Sequence, residues 1–172
     1  MHLLRVGEPG RERPVVGDNG AYHSLDSVVG GGDIDGAFFA TGGIERVRSA
    51  LAAGGIEPVE IAGLRVGAPI ARPGAVICIG QNYAAHAAES GALPPTAPVI
   101  FFKHPNTVVG PFDDVAIPRG STKTDWEVEL AVVIGRQCRY LGSQAEALAC
   151  IAGCMIANDV SERSYQLERS GG

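Results

Sequence analysis

The chain has 172 residues, a formal net charge of −5, 45% hydrophobic and 19% charged residues, and no apolar run near the roughly 20 residues that a membrane span needs. The acidic balance and the absence of a basic cluster exclude nucleic acid as the expected partner, because neutralising phosphates takes Lys and Arg grouped on one face. Arg5, Glu8 and Gly10 interrupt the first residues before a signal-peptide core forms, so the expectation is a soluble cytoplasmic protein with a small-molecule partner and no membrane.

In chain order, residues 1–68 read as an N-terminal α+β module. LLRV, VVG and AYHS alternate as short strands broken by GEPGRERP and GDNG turns, and GIERVRSALAAGG reads as a helix closed by glycine. The glycine run at 30–32 lacks the following lysine and the strand-to-helix setting of a phosphate-binding loop, which leaves a flexible turn. A second domain runs over 69–172. Its first strand, AVICIG, ends at Gly80 and gives way to a short helix carrying His86 and Glu89. Strands separated by PPTAP, GPFDD and IPRG follow, and TDWEVELAVVIG reads as one long strand. The helix-like SQAEALAC, a strand through Ile156 and a last helix from Ser161 complete an α+β pattern. Cys78, Cys138, Cys150 and Cys154 have no CxxC spacing and read as reduced, buried thiols.

Three places carry candidate chemistry. Glu127 and Glu129 lie two apart in a strand, so both carboxylates point the same way, and like charges side by side need a cation. Their hard oxygens suit Mg²⁺, Mn²⁺ or Ca²⁺. The alternative is a solvated acidic face with Val128 and Leu130 turned inward. Asp159, at the end of MIANDV, is either a third ligand entering from another strand or a cap for the following helix, with Ser161 the other capping candidate. His86 and Glu89, three apart on one helical face, form a general base and its orienting carboxylate, or an ordinary pair on an exposed helix.

The stretches ICIGQNYAAHAAE, VIFFKHPNTVVGP, IPRGSTKTDWEVELAVVIG and ANDVSERSYQLER, in this order, resemble the fumarylacetoacetate hydrolase family from about Leu64 onward. KTDWEVEL with NDVSERSYQLER is most similar to the bacterial branch that hydrolyses 2,4-diketo-3-deoxy-L-fuconate or L-rhamnonate, often labelled ureidoglycolate lyase. The resemblance implies a mixed β-roll and a homodimer. It also implies that the catalytic domain is incomplete, since the family's core continues for roughly another hundred residues, a domain's worth of chain, with further strands and a GKS-type lysine. Exposed strand edges and apolar surface would follow.

By the same resemblance, Glu127, Glu129 and Asp159 match metal ligands, His86 and Glu89 a catalytic pair on a lid segment, and Arg163 and Gln166 positions that reach substrate. Lys103 matches a lysine near the pocket, where the alternative is a solvated strand end. The implied activity is metal-dependent hydrolysis of a carbon–carbon bond in a 2,4-diketo acid, releasing pyruvate. Decarboxylation of oxaloacetate, isomerisation of a hydroxymuconate-type diacid and a non-catalytic dimerisation partner remain open, because fold does not choose among them.

Overall fold

The computed structural model describes residues 1–85, 91 and 95–169. His2–Val6 (β1), Arg13–Asp18 (β2) and Ala21–Ser24 (β3) form an antiparallel sheet in the order β1-β2-β3. The pair Asp18↔Ala21 leaves Asn19 and Gly20 as a two-residue turn, and their φ values of 48° and 82° are the two positive angles that a type I′ hairpin requires. The predicted GDNG turn is therefore present, with the residues that this geometry favours.

Two helices flank the glycine run where only a turn was expected. Asp26–Val29 (α1) ends on Gly30 in the left-handed conformation, and Gly36–Ala40 (α2) begins at Asp35, whose carboxylate accepts from the N–H groups of Ala37 and Phe38. The predicted helix is Gly43–Ala53 (α3); Gly54, at φ 65°, donates to Leu51 O and Gly55 to Ala50 O, closing its end. A Cβ on Gly43 would lie 2.4 Å from the Phe38 ring, so the close seat of α2 on α3 requires glycine there. Val16, Leu25, Ile34, Phe38, Val47 and Ile56 meet in one buried core between sheet and helices.

Val76–Gly80 (β4) and Val99–Lys103 (β5) then pair as an antiparallel ribbon, followed by a 3₁₀ turn at Pro105–Thr107. Thr124–Asp125 (β6) pairs with Ser161–Glu162 (β9), and Val128–Ile134 (β7) pairs with Ile151–Asn158 (β8). Gln144–Leu148 (α4) links the latter two, capped by the Ser143 hydroxyl. Every strand pairing among the described residues is antiparallel, and the class is α+β, as expected. Among the described residues no helix is long and apolar enough to cross a membrane.

Three expectations are corrected. The strand through TDWEVELAVVIG breaks at Trp126 and Glu127, because side chains replace the ladder there: Asp125 Oδ1 accepts from Trp126 N, and Asn158 Oδ1 from Glu127 N. The last helix does not start at Ser161. Ser161 and Glu162 are drawn into pairing with β6, the Ser161 hydroxyl donates to Asp159 instead of capping, and a π-helical segment follows at Ser164–Arg169. Of the four cysteines, all free, only Cys150 is buried; Cys78 is half-buried, Cys154 lies on the open face of β8, and Cys138 lies in the connection after β7.

The first 68 residues and the segment after β5 are tied by ions. Arg65 donates through Nε and Nη2 to both oxygens of Asp113 and through Nη1 to Glu12 Oε1 at 3.0 Å. Arg5 donates to the other Glu12 oxygen at 3.2 Å and, through two nitrogens, to Asp33. Gly110 fits only because it has no Cβ, which would stand 2.3 Å from Val66 O.

Candidate active site

Side-chain alternation and register assemble the carboxylates. Val128 faces Asn158 and Glu129 faces Ala157, so Glu127, Glu129 and Asp159 fall on one face of the β7–β8 ribbon, with Asp159 N donating to Glu127 O at 2.9 Å. This face is the covered one. The Asp159 and Glu127 side chains are 9% and 27% exposed, whereas Val128 and Leu130 are 64% and 61% exposed. The alternative with Val128 and Leu130 turned inward is thus reversed: the acids are sheltered and the valine row is open.

Two cations reach these acids from other elements. Lys103, at the end of β5, forms an ion pair with Asp159 and donates to Val160 O at 3.0 Å, so it is not a solvated strand end. Arg163 donates through Nη1 to Glu127 and, at 2.8 Å, to Gln166 Oε1, and through Nε and Nη2 to Asp125 Oδ2 at 3.0 and 2.9 Å. Burial alone would lower the Arg163 pKa, but the bonds to Asp125 and Glu127 outweigh it and raise the value. Cys78, on the β4 face shared with Lys103, has its thiol pushed up by burial first and then by the charge of Asp159, with Glu129 adding to it. Cys78, Lys103, Asp159 and Glu129 therefore share one electrostatic neighbourhood between the two ribbons. The Tyr83 hydroxyl accepts from Leu130 N at 3.2 Å, which pins the chain after β4 to the strand carrying Glu129.

The structure thus brings Glu127, Glu129, Asp159, Lys103, Arg163 and Gln166 to one region, while His86 and Glu89 lie outside the described residues. Among the described residues, no three His, Cys, Asp or Glu side chains converge closely enough to hold an ion. The donor set nonetheless fits a hard divalent cation, with three carboxylates on one sheltered face and no soft ligand among them, two already paired with positive charge. Cavities of about 200 and 250 Å³ lie elsewhere, beside the N-terminal sheet.

Two residues missed in the sequence belong to this region. Asp125 grips Arg163, and Glu162 accepts from the hydroxyls of Ser121, Thr124 and Ser164 and from Ser164 N. Hydrogen bonds from Ser121 and then Ser164 hold the Glu162 carboxyl at about 2. A carboxylate whose pKa is depressed in the folded state contributes stability above its unfolded value and loses it as pH falls through the folded one. The Glu162 contribution is therefore complete above the ordinary glutamate value of 4.5 and lost between there and about 2. Glu162→Gln accordingly narrows its stability gap to the wild type as pH falls from 6 to 3, read by urea unfolding. A gap that stays constant would show that Glu162 is not ionised in this role.

The family described as fumarylacetoacetate (FAA) hydrolase, C-terminal, matches residues 75–171, more than half of the chain. The chain belongs to the fumarylacetoacetate hydrolase family. A Burkholderia multivorans protein with the provisional name of a hydrolase is 44% identical over 172 residues, covering 99% of this chain and 59% of that protein. Fumarylacetoacetate hydrolase from the psychrophile Exiguobacterium antarcticum has the same fold over 98% of this chain and 58% of its own, with a TM-score of 0.76 and 28% identity. Maleylpyruvate hydrolase from Sphingobium sp. SYK-6, solved with manganese(II) and pyruvate, superposes with a TM-score of 0.72 at 22% identity over 95% of this chain and 60% of its own. The chain thus spans about 59% of the length of the curated relatives that it matches.

Proposed function

We propose that this fumarylacetoacetate hydrolase family member hydrolyses the bond between carbons 3 and 4 of a 2,4-diketo acid of the acylpyruvate type, releasing pyruvate. The observation that carries the reading is the sheltered row of Glu127, Glu129 and Asp159, met by Lys103 and Arg163 from two other elements. The fold is shared with a maleylpyruvate hydrolase solved with manganese and pyruvate, a ligand pair that this reading would also require. The resemblance of KTDWEVEL and NDVSERSYQLER to the sugar-acid branch favours a 2,4-diketo-3-deoxy sugar acid within that class.

Glu127, Glu129 and Asp159 would hold Mg²⁺ or Mn²⁺, which when bound supplies Lewis-acid stabilisation of developing negative charge, an effect of several kcal/mol. Arg163 and Gln166, already joined at 2.8 Å, bind the polar groups of the substrate. His86, oriented by Glu89, takes a proton from water as the oxygen bonds to carbon 4. The pair of electrons from the broken bond passes to the pyruvate fragment, and the imidazolium returns the proton to carbon 3. Lys103 keeps Asp159 oriented from the β5 side.

The test follows loss of the diketo-enol absorbance of a simple acylpyruvate on the purified protein, with Mg²⁺ or Mn²⁺ and with chelator. Metal-dependent loss with stoichiometric pyruvate is expected. Turnover of oxaloacetate with none of the acylpyruvate would replace hydrolysis by decarboxylation.

A further inference from the structure

Arg163 stands between two acids of different kinds. Asp125 is 48% exposed, forms the β6–β9 pair with Ser161, and is no member of the carboxylate row. Its Oδ2 receives two N–H groups of the guanidinium, at 3.0 and 2.9 Å, while its Oδ1 receives Trp126 N at 2.9 Å. The acid is therefore fixed by its own backbone turn before it fixes the arginine. Arg163 N also donates to Lys123 O at 2.9 Å, so both ends of the arginine are anchored to the segment 123–125, which carries Asp125. With Nε and Nη2 engaged, only Nη1 is directed at Glu127 and Gln166. A planar fork held along one edge presents the other edge in a single orientation.

We propose that Asp125 is a positioning residue that holds Arg163 in place and shares its charge, so that Glu127 stays available to a divalent cation; this rests on the metal-ligand reading above. Without Asp125 the guanidinium would be neutralised by Glu127 alone, and a cation arriving at Glu127 would have to displace a stronger ion pair. Outer partners of this kind typically alter metal affinity by about 10- to 100-fold. Asp125 also sets the arginine rotamer before substrate arrives, which spares the ordering that a free side chain would undergo on binding.

The experiment is a double-mutant cycle on the dissociation constant of Mn²⁺ alone, measured by electron paramagnetic resonance, for wild type, Asp125→Ala, Arg163→Ala and the double variant. Asp125→Ala is expected to bind Mn²⁺ about 10-fold more weakly than wild type. On the Arg163→Ala background the same change is expected to have no effect, because the competing cation is gone. Asp125→Asn, which keeps the acceptor and loses the charge, falls between. Equal weakening on both backgrounds would overturn the proposal and assign Asp125 a bare Coulombic effect. Unaltered binding in Asp125→Ala would also overturn it. If wild type binds no Mn²⁺, the metal-ligand reading itself fails and this inference with it. Circular dichroism melts establish that each variant is folded, and Asp125→Asn keeps the comparison open should the alanine variant unfold.

Discussion

Glu127→Ala is expected to abolish the proposed metal-dependent acylpyruvate turnover while the protein stays folded. The main chain of Glu127 makes the structural contacts, its N–H donating to Asn158 Oδ1 and its carbonyl accepting from Asp159 N, and both survive truncation of the side chain. Among the described residues the carboxylate itself has one hydrogen-bond partner, Arg163, which retains Asp125 and Gln166 when Glu127 is gone. Stability therefore changes little. Turnover loses one of three proposed ligands, and removing a preorganised charge-stabilising group costs roughly 10²- to 10³-fold even when the rest of the site is intact. The measurement is kcat at saturating Mg²⁺ beside a thermal melt. Retained activity with an unchanged melt would remove Glu127 from the ligand set.

His86→Asn is expected to slow the proposed acylpyruvate hydrolysis by about 10²- to 10⁴-fold, the usual contribution of a positioned general base. Mn²⁺ binding is expected to stay at the wild-type value, because the proposal makes the imidazole a base and not a ligand. Decarboxylation of oxaloacetate requires no activated water, so whatever rate the protein shows with that substrate is spared in the same variant. Glu89→Gln is expected to give a smaller loss, since in the proposal Glu89 only orients the base. Equal losses with both substrates would show His86 to be a binding residue, and no loss at all would return the base to another group.

What could be read in the sequence divides by the range of the interactions involved. The β2–β3 turn, α3 and its glycine closure, and the strands β4 and β8 are local patterns that appear where they were expected, and β7 keeps the later part of the longer strand expected there. The helices α1 and α2 span four and five residues, too short to display a helical period, and their caps at Gly30 and Asp35 lay in a stretch that reads as a turn. The acidic pair Glu127 and Glu129 was legible because a strand shows two-residue spacing directly. Which face it occupied was not, because that depends on β8 and on Lys103 from another ribbon. Asp125 and Glu162 were invisible for the same reason. Their partners Arg163, Ser121 and Thr124 lie 38 to 41 residues away, and only the β6–β9 pairing brings them together.

The Arg65–Asp113 ion pair bears on how this chain can be recombined with its relatives. A crossover placed after residue 68 would part Arg65 from Asp113 and leave Glu12 to serve two arginines without the second acid. A crossover beyond Asp113 keeps the network whole, and with it the β4–β5 ribbon that ends in Lys103. The first sheet and the lysine that meets Asp159 thus form one block for inheritance or grafting. Exchanging the N-terminal part intact also exchanges one side of the site.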